Sequence, residues 1–235
     1  MAEEPPALEK LEKAIGYSFS NRELLLQSLT HPSCFHQRPE TGGDNQRLEF
    51  LGDALLSAIL AEKLYRLLPD KQEGILSRSR SAIVKGRALA ELARKIGLGP
   101  HIHMSPAEKK SGGQGRLSTL EDTLEALVGA VYLDSDWETA RRVVLGWYGD
   151  FDQFLSQHLL RFNPKGRLQE LAQATVGARA VRYKLVENSG PEHKKHYRVQ
   201  IIVSGKVLGE GEGPSKKRAE EKAARKALQN WAPEA

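Results

Sequence analysis

Two stretches of the chain are apolar at almost every turn of a helix. In the first, Leu48, Phe50, Leu51, Ala54, Leu55, Leu56, Ala58, Ile59 and Leu60 predict a helix that opens at Asn45 and stops at Pro69. In the second, Leu120, Leu124, Leu127, Val128 and Val131 predict a helix from Leu117 to Asp134. Helices apolar almost all round are expected to be buried. Around them the 3.6-residue period predicts helices over Leu8–Ile15, Arg22–Leu29, Ile75–Ala82 and Gly86–Ile96, with a last helical region over Trp137–Leu160. Gln72-Glu73-Gly74 reads as a turn, and Gly97 to Gly115, with its glycines and prolines, as a long irregular loop.

Past Gly166 the period changes. A short amphipathic helix to Thr175 is followed by alternating, β-branched segments over Val181–Glu187, Tyr197–Val203 and Lys206–Gly211, with Ser204-Gly205 as a tight turn. A final helix runs from the cap Ser215 to Trp231. The chain is therefore expected to be an all-α part followed by a small α-β-β-β-α layer pair.

Charge divides at the same place. Residues 1–160 carry 19 Lys/Arg against 22 Asp/Glu, and residues 161–235 carry 16 against 8, so the net +5 conceals a basic second part. The boundary falls at Arg161 to Gly166, giving expected domains of 1–160 and 164–233. A basic segment of this kind suits a polyanionic partner. Nothing resembles a membrane span or a signal peptide, and the single cysteine, Cys34, excludes an internal disulfide framework, which fits a cytoplasmic protein.

The chemistry lies on the two apolar helices. Glu49 and Asp53 are four apart and share a face, as do Asp122 and Glu125 at a spacing of three. Like charges at these spacings repel, and burying them is costly without a cation. A narrow solvated stripe accounts for one such pair; two pairs point to a metal site. Each helix also carries an interior glycine, Gly52 or Gly129, at a cost of roughly 1 kcal/mol relative to alanine. A close helix–helix approach explains that cost, and two such helices would form a hard-oxygen cage suited to Mg²⁺ or Mn²⁺. His101 and His103 read as exposed loop histidines, and Lys110 with Gly112-Gly113 lacks the pattern of a nucleotide loop.

The segment Asn45-Gln-Arg-Leu-Glu-Phe-Leu-Gly-Asp53 resembles the signature motif of the bacterial ribonuclease III family. Leu29-Thr-His-Pro-Ser33, Glu73-Gly74 with Leu76-Ser-Arg78, Lys110-Ser-Gly-Gly113 and Asp122-Thr-Leu-Glu-Ala-Leu127 resemble the family's further blocks, in the same order. The second part resembles the double-stranded-RNA-binding domain over its full length. The resemblance implies a Mg²⁺-dependent endoribonuclease, with Mn²⁺ as an alternative, that cuts double-stranded RNA to 5′-phosphates and 3′-hydroxyls with short 3′ overhangs. It implies roles in rRNA precursor and mRNA processing.

Metal ligands would be Glu49, Asp53, Asp122 and Glu125, with Asp53 and Glu125 catalytic and Glu73 a further acidic position. The resemblance also implies a homodimer, with Phe50 at its interface in a socket of the partner. Gln46 departs from the family, which usually has Glu there. The RNA-binding residues implied are Lys216 and Lys217 on phosphates at a helix N-terminus, Gln169 and Glu170 in one minor groove, and His193 in a second. Two other classes remain to be separated by experiment. A protein that only binds RNA would not cut it when Mg²⁺ is added, and a small-molecule phosphohydrolase would turn over small phosphodiesters with residues 1–160 alone.

Overall fold

The structure is a computed structural model, and it describes residues 8–37, 43–84, 86–162, 164–177, 181–191 and 194–231. It divides into two compact units, Met1–Phe154 and Leu155–Ala235.

The first unit is helical: α1 (Leu8–Ile15), α2 (Arg22–Ser28), α3 (Gln46–Leu67), α4 (Glu73–Ile83), α5 (Arg87–Lys95), α6 (Pro106–Lys110), α7 (Leu117–Asp134) and α8 (Trp137–Tyr148). The buried axis is α7, packed against α2, α3, α5 and α8. Leu120, Leu124, Leu127, Val128 and Val131 are all buried, as the apolar pattern predicts. The C-terminal end of α7 is tied to the N-terminal helices by Asp134, which accepts hydrogen bonds from the Tyr17 hydroxyl (2.6 Å), the Ser20 amide (2.8 Å) and the Asn21 amide (2.7 Å). The Trp147 indole donates to the Ile15 carbonyl at 2.9 Å, closing the same corner from α8.

Three expectations are corrected. First, α3 is not buried all round. Leu48, Gly52, Leu56, Ile59, Leu60 and Leu64 face the core, while Phe50 (82 % exposed) and Tyr65 (72 %) stand in solvent. Apolar content on both faces does not say which face the neighbouring helix takes. Second, the segment from Gly97 to Gly115 is ordered, not an irregular loop. Short helical turns at Gly99–His101 and Gly113–Gly115 flank α6. Gln114 Nε2 donates to the Ile102 carbonyl at 3.0 Å, Arg94 to the Gly115 carbonyl at 3.0 Å, and Arg116 pairs with Glu108 at 3.1 Å. His101 is accordingly buried, not exposed, and burial lowers its pKa. Third, Glu73 begins α4 instead of lying in a turn. The region after α7 breaks at Gly149, whose φ of +66° ends α8, and α9 (Phe151–Phe162) follows.

The second unit contains α10 (Pro164–Thr175), β1 (Val181–Ser189), β2 (His196–Val203), β3 (Lys206–Gly213) and α11 (Lys216–Gln229). The strands form one antiparallel sheet in the order β1-β2-β3. Ser204 and Gly205, at φ of +48° and +83°, make the expected tight turn. A core of Leu168, Ile201, Val203, Ala223, Ala224 and Ala227 joins both helices to the sheet. The fit is close on β3, where a Cβ on Gly209 or Gly211 would run into the backbone of α11 at Ala223. Lys165 holds α10 to α11 by an ion pair with Glu220 at 2.6 Å and lies 4.9 Å over the Tyr183 ring.

Candidate functional site

The first site is built where α3 crosses α7. A Cβ on Gly52 would collide with the Glu125 carbonyl, and one on Gly129 with the Leu48 carbonyl, so the two glycines let the helix backbones touch. That is the close approach their positions predict. The N-terminus of α3 is fixed from outside by the Asn45 amide, which donates to the Thr30 carbonyl (2.9 Å), and the helix itself opens with the Glu49 amide donating to the Asn45 carbonyl (2.8 Å).

This crossing brings together Glu49, Asp122 and Glu125, each with a carboxylate oxygen within 4.8 Å of the others. Glu125 is buried (7 % exposed), and the other two are half-buried. Burial pushes the Glu125 carboxyl up to about 8, with Asp53, Glu121, Glu49 and Asp122 adding repulsion in that order. Burial likewise raises Glu49, followed by the charges of Asp122, Asp44, Asp53 and Glu121. It raises Asp122 too, with Glu121 the next cause and His31 acting against it. Among the described residues no Lys or Arg forms an ion pair with any of the three. Among the described residues His31 is the one basic group that acts on them, and the donors are all hard oxygens. This set fits a small divalent cation of the Mg²⁺ or Mn²⁺ kind.

The other acidic candidates lie elsewhere. Asp53 is exposed and outside the group of three, though its charge reaches Glu125 and Glu49. Glu73 is exposed at the start of α4 and accepts from the Ser77 hydroxyl at 2.6 Å. Gln46 is exposed in the first turn of α3, its amide donating to Asp44 at 3.1 Å. Sequence reasoning missed Glu121 and His31, both of which act on the acidic group. Glu121 stands four residues before Glu125, a spacing that would have placed the two on one face.

The second site is the N-terminus of α11. The Ser215 hydroxyl caps it by accepting from the Arg218 amide at 3.3 Å, leaving Lys216 and Lys217 exposed at a helix end that already attracts anions. Gln169 is exposed on α10, and Glu170 is half-buried with Arg167 at 3.6 Å. His193 lies outside the described residues.

Comparison with known proteins places both parts of the chain in known families. A family model described as ribonuclease-III-like matches residues 21–150, and one described as a double-stranded RNA binding motif matches residues 164–231. The chain is 42 % identical to the Ribonuclease 3 of Idiomarina loihiensis over 226 residues, covering 96 % of each chain. It is 43 % identical to the Ribonuclease 3 of Symbiobacterium thermophilum over 216 residues, 92 % of this chain and 91 % of that one. Among solved structures, the nuclease domain of ribonuclease III from Campylobacter jejuni is similar, with a TM-score of 0.56 and 38 % identity, over 60 % of this chain and 95 % of that one. That structure was described for flexibility in a region involved in dimer formation. No described helix is long and apolar enough to cross a membrane.

Proposed function

This chain belongs to the ribonuclease III family and is an endoribonuclease with a double-stranded-RNA-binding motif, and we propose that it cuts double-stranded RNA in a Mg²⁺-dependent reaction at the α3–α7 crossing. The observation that carries this reading is the meeting of Glu49, Asp122 and Glu125 within 4.8 Å, without an ion-paired Lys or Arg among the described residues. These three would hold the ion, with Asp53 at the exposed rim as the fourth acidic member. A bound divalent ion supplies an acidified water and neutralises charge on the phosphodiester.

The chain's own groups do the remainder. Burial pushes the Glu125 carboxyl up to about 8, so an ion held there would have to take the place of a proton. Asp53 and Glu125 are proposed as the catalytic pair, with Glu73 as a further acidic contributor. Gln46, uncharged where the family usually carries Glu, is proposed to shift cleavage-site choice or metal affinity. Lys216 and Lys217 would grip phosphates, while Gln169, Glu170 and His193 would contact minor grooves on either side.

A homodimer fits the outer face of α3. Phe50 near its start and Tyr65 near its end are exposed, and Tyr65 lines a cavity of about 360 Å³ with Ala61, Glu62, Leu64, Leu76, Ser77 and Arg80. Phe50 of one protomer is proposed to enter that cavity of the other. Two dimer-related sites would then cut opposite strands, leaving 5′-phosphates, 3′-hydroxyls and short 3′ overhangs. Work on rRNA precursors and mRNA in the cytoplasm, and domains of 1–160 and 164–233, belong to the same proposal.

The test is cleavage of a long double-stranded RNA with Mg²⁺, with Ca²⁺ and with EDTA, beside a double-stranded DNA control. Mg²⁺-dependent cutting of RNA alone is expected. Retention of RNA without cutting in any metal would replace this reading with one of binding only.

A further inference from the structure

Glu121 stands beside Asp122 and one turn before Glu125 on α7, yet it is not among the three carboxylates that meet. Its Oε1 accepts the Gly86 amide at 2.6 Å. Gly86 forms the corner between α4 and α5 at φ +59° and ψ −119°, a conformation that side chains rarely adopt, and its carbonyl accepts from Ala90 at 3.0 Å as α5 begins. This one bond ties the acidic turn of α7 to a corner 35 residues away in sequence.

We propose that Glu121 is a positioning residue with two effects: it clamps the α4–α5 corner to α7, and its fixed negative charge raises the affinity of Glu49, Asp122 and Glu125 for a divalent cation without ligating it. The inference rests on the metal reading given above. Satisfying one amide needs only a neutral acceptor, so the carboxylate brings a charge that the hydrogen bond does not require. With Oε1 engaged, the side chain is held out of the group of three. Among the described residues no Lys or Arg pairs with it. Its place next to Asp122 and one turn before Glu125 keeps that charge close to the three acids, where a negative potential favours a dication.

The experiment compares the full chain with Glu121→Gln, Glu121→Ala and Glu125→Gln. Thermal unfolding is followed in EDTA and through Mn²⁺ and Mg²⁺ titrations, with double-stranded RNA cleavage measured alongside. Glu121→Gln keeps an acceptor for Gly86 and loses the charge. Its Tm in EDTA is expected to be no lower than the parent's, while its half-saturating metal concentration rises by about fivefold at low salt. That gap is expected to narrow in part at about 0.5 M salt, because Glu121 is half-buried and salt screens only the field that passes through water. The KM for RNA at saturating metal is expected to be unchanged. Glu121→Ala is expected to show the same affinity loss and a lower Tm in EDTA. A Glu121→Gln titration at the parent's midpoint overturns the electrostatic effect, and a Glu121→Ala Tm equal to the parent's overturns the clamp. If the parent responds to neither ion and cuts nothing, the metal reading falls and this inference with it. That outcome is distinct, because the first two require a parent that binds.

Discussion

Glu125→Gln should make the metal-free protein more stable at alkaline pH while abolishing its response to metal. Glu125 is buried, and its carboxyl is pushed from 4.5 to about 8. The folded chain therefore holds a proton that the unfolded chain releases. The stability linked to that proton is complete below about pH 4.5 and is lost as pH rises through about 8. The full gap corresponds to at most about 5 kcal/mol. Water reaching the site through the half-buried Glu49 and Asp122 screens much of it, so about 2 kcal/mol is the working figure. For a unit of this size that is a Tm difference of about 4–8 °C. The assay is thermal unfolding in EDTA from pH 5 to 9. The parent should lose Tm across that range, and Glu125→Gln should lose less, so that the curves meet near pH 5 and part by pH 8.5. The slope does not vanish in the variant, because Glu49 and Asp122 are raised in the same direction. Added Mg²⁺ at pH 8 should raise the parent's Tm and leave the variant unmoved. Parallel curves in EDTA would refute the reasoning, since they would mean that Glu125 is ionised at little cost.

Other changes test other parts of the structure. Gly52→Ala drives a methyl into the Glu125 backbone and should cost about 3 kcal/mol, the upper end of overpacking, with weakened metal response in a Tm titration. Gly146→Ala, at an exposed helical position with open space around it, should instead stabilise by up to about 1 kcal/mol in the same assay. Asp134→Asn should cost about 1–3 kcal/mol in denaturant unfolding at pH 7, because three donors converge on that carboxylate. Burial works against the Asp134 charge, but those hydrogen bonds outweigh it and lower the pKa, so the difference should fade as pH drops below about 3.8. Lys216→Ala with Lys217→Ala should weaken RNA binding and make its logarithmic salt dependence shallower by about 2, measured by filter binding over a salt series.

Much of this architecture was legible from residues alone, and the exceptions share a cause. The helices of α3 and α7, their touching glycines and the turn at Ser204-Gly205 follow from local periodicity and backbone preference. The ordered segment from Gly97 to Gly115 does not, because its short turns are held by partners such as Ile102 and Arg94, which no local period reveals. Spacing places Glu49 and Asp53 on one face of α3 but cannot say how α7 crosses it, and the crossing takes Glu49 while leaving Asp53 at the rim. The spacing of Glu121 from Glu125 is legible, but its bond to Gly86 is not, because that bond spans distant parts of the chain.

The contact of Gly52 and Gly129 across α3 and α7 constrains how this site can diverge. The gap between the acidic turns is set by the thickness of two backbones, a quantity no core substitution can adjust. Exchanging one aliphatic side chain for another elsewhere in the core changes stability but leaves that gap as it is. Under the proposed metal reading, descendants of this sequence would retune the site from its periphery, at positions such as Gln46 and Glu121, where side chains alter charge without entering the crossing. Variation among relatives should accordingly collect in a ring around an invariant centre, and differences in ion preference or cut-site choice should map to that ring.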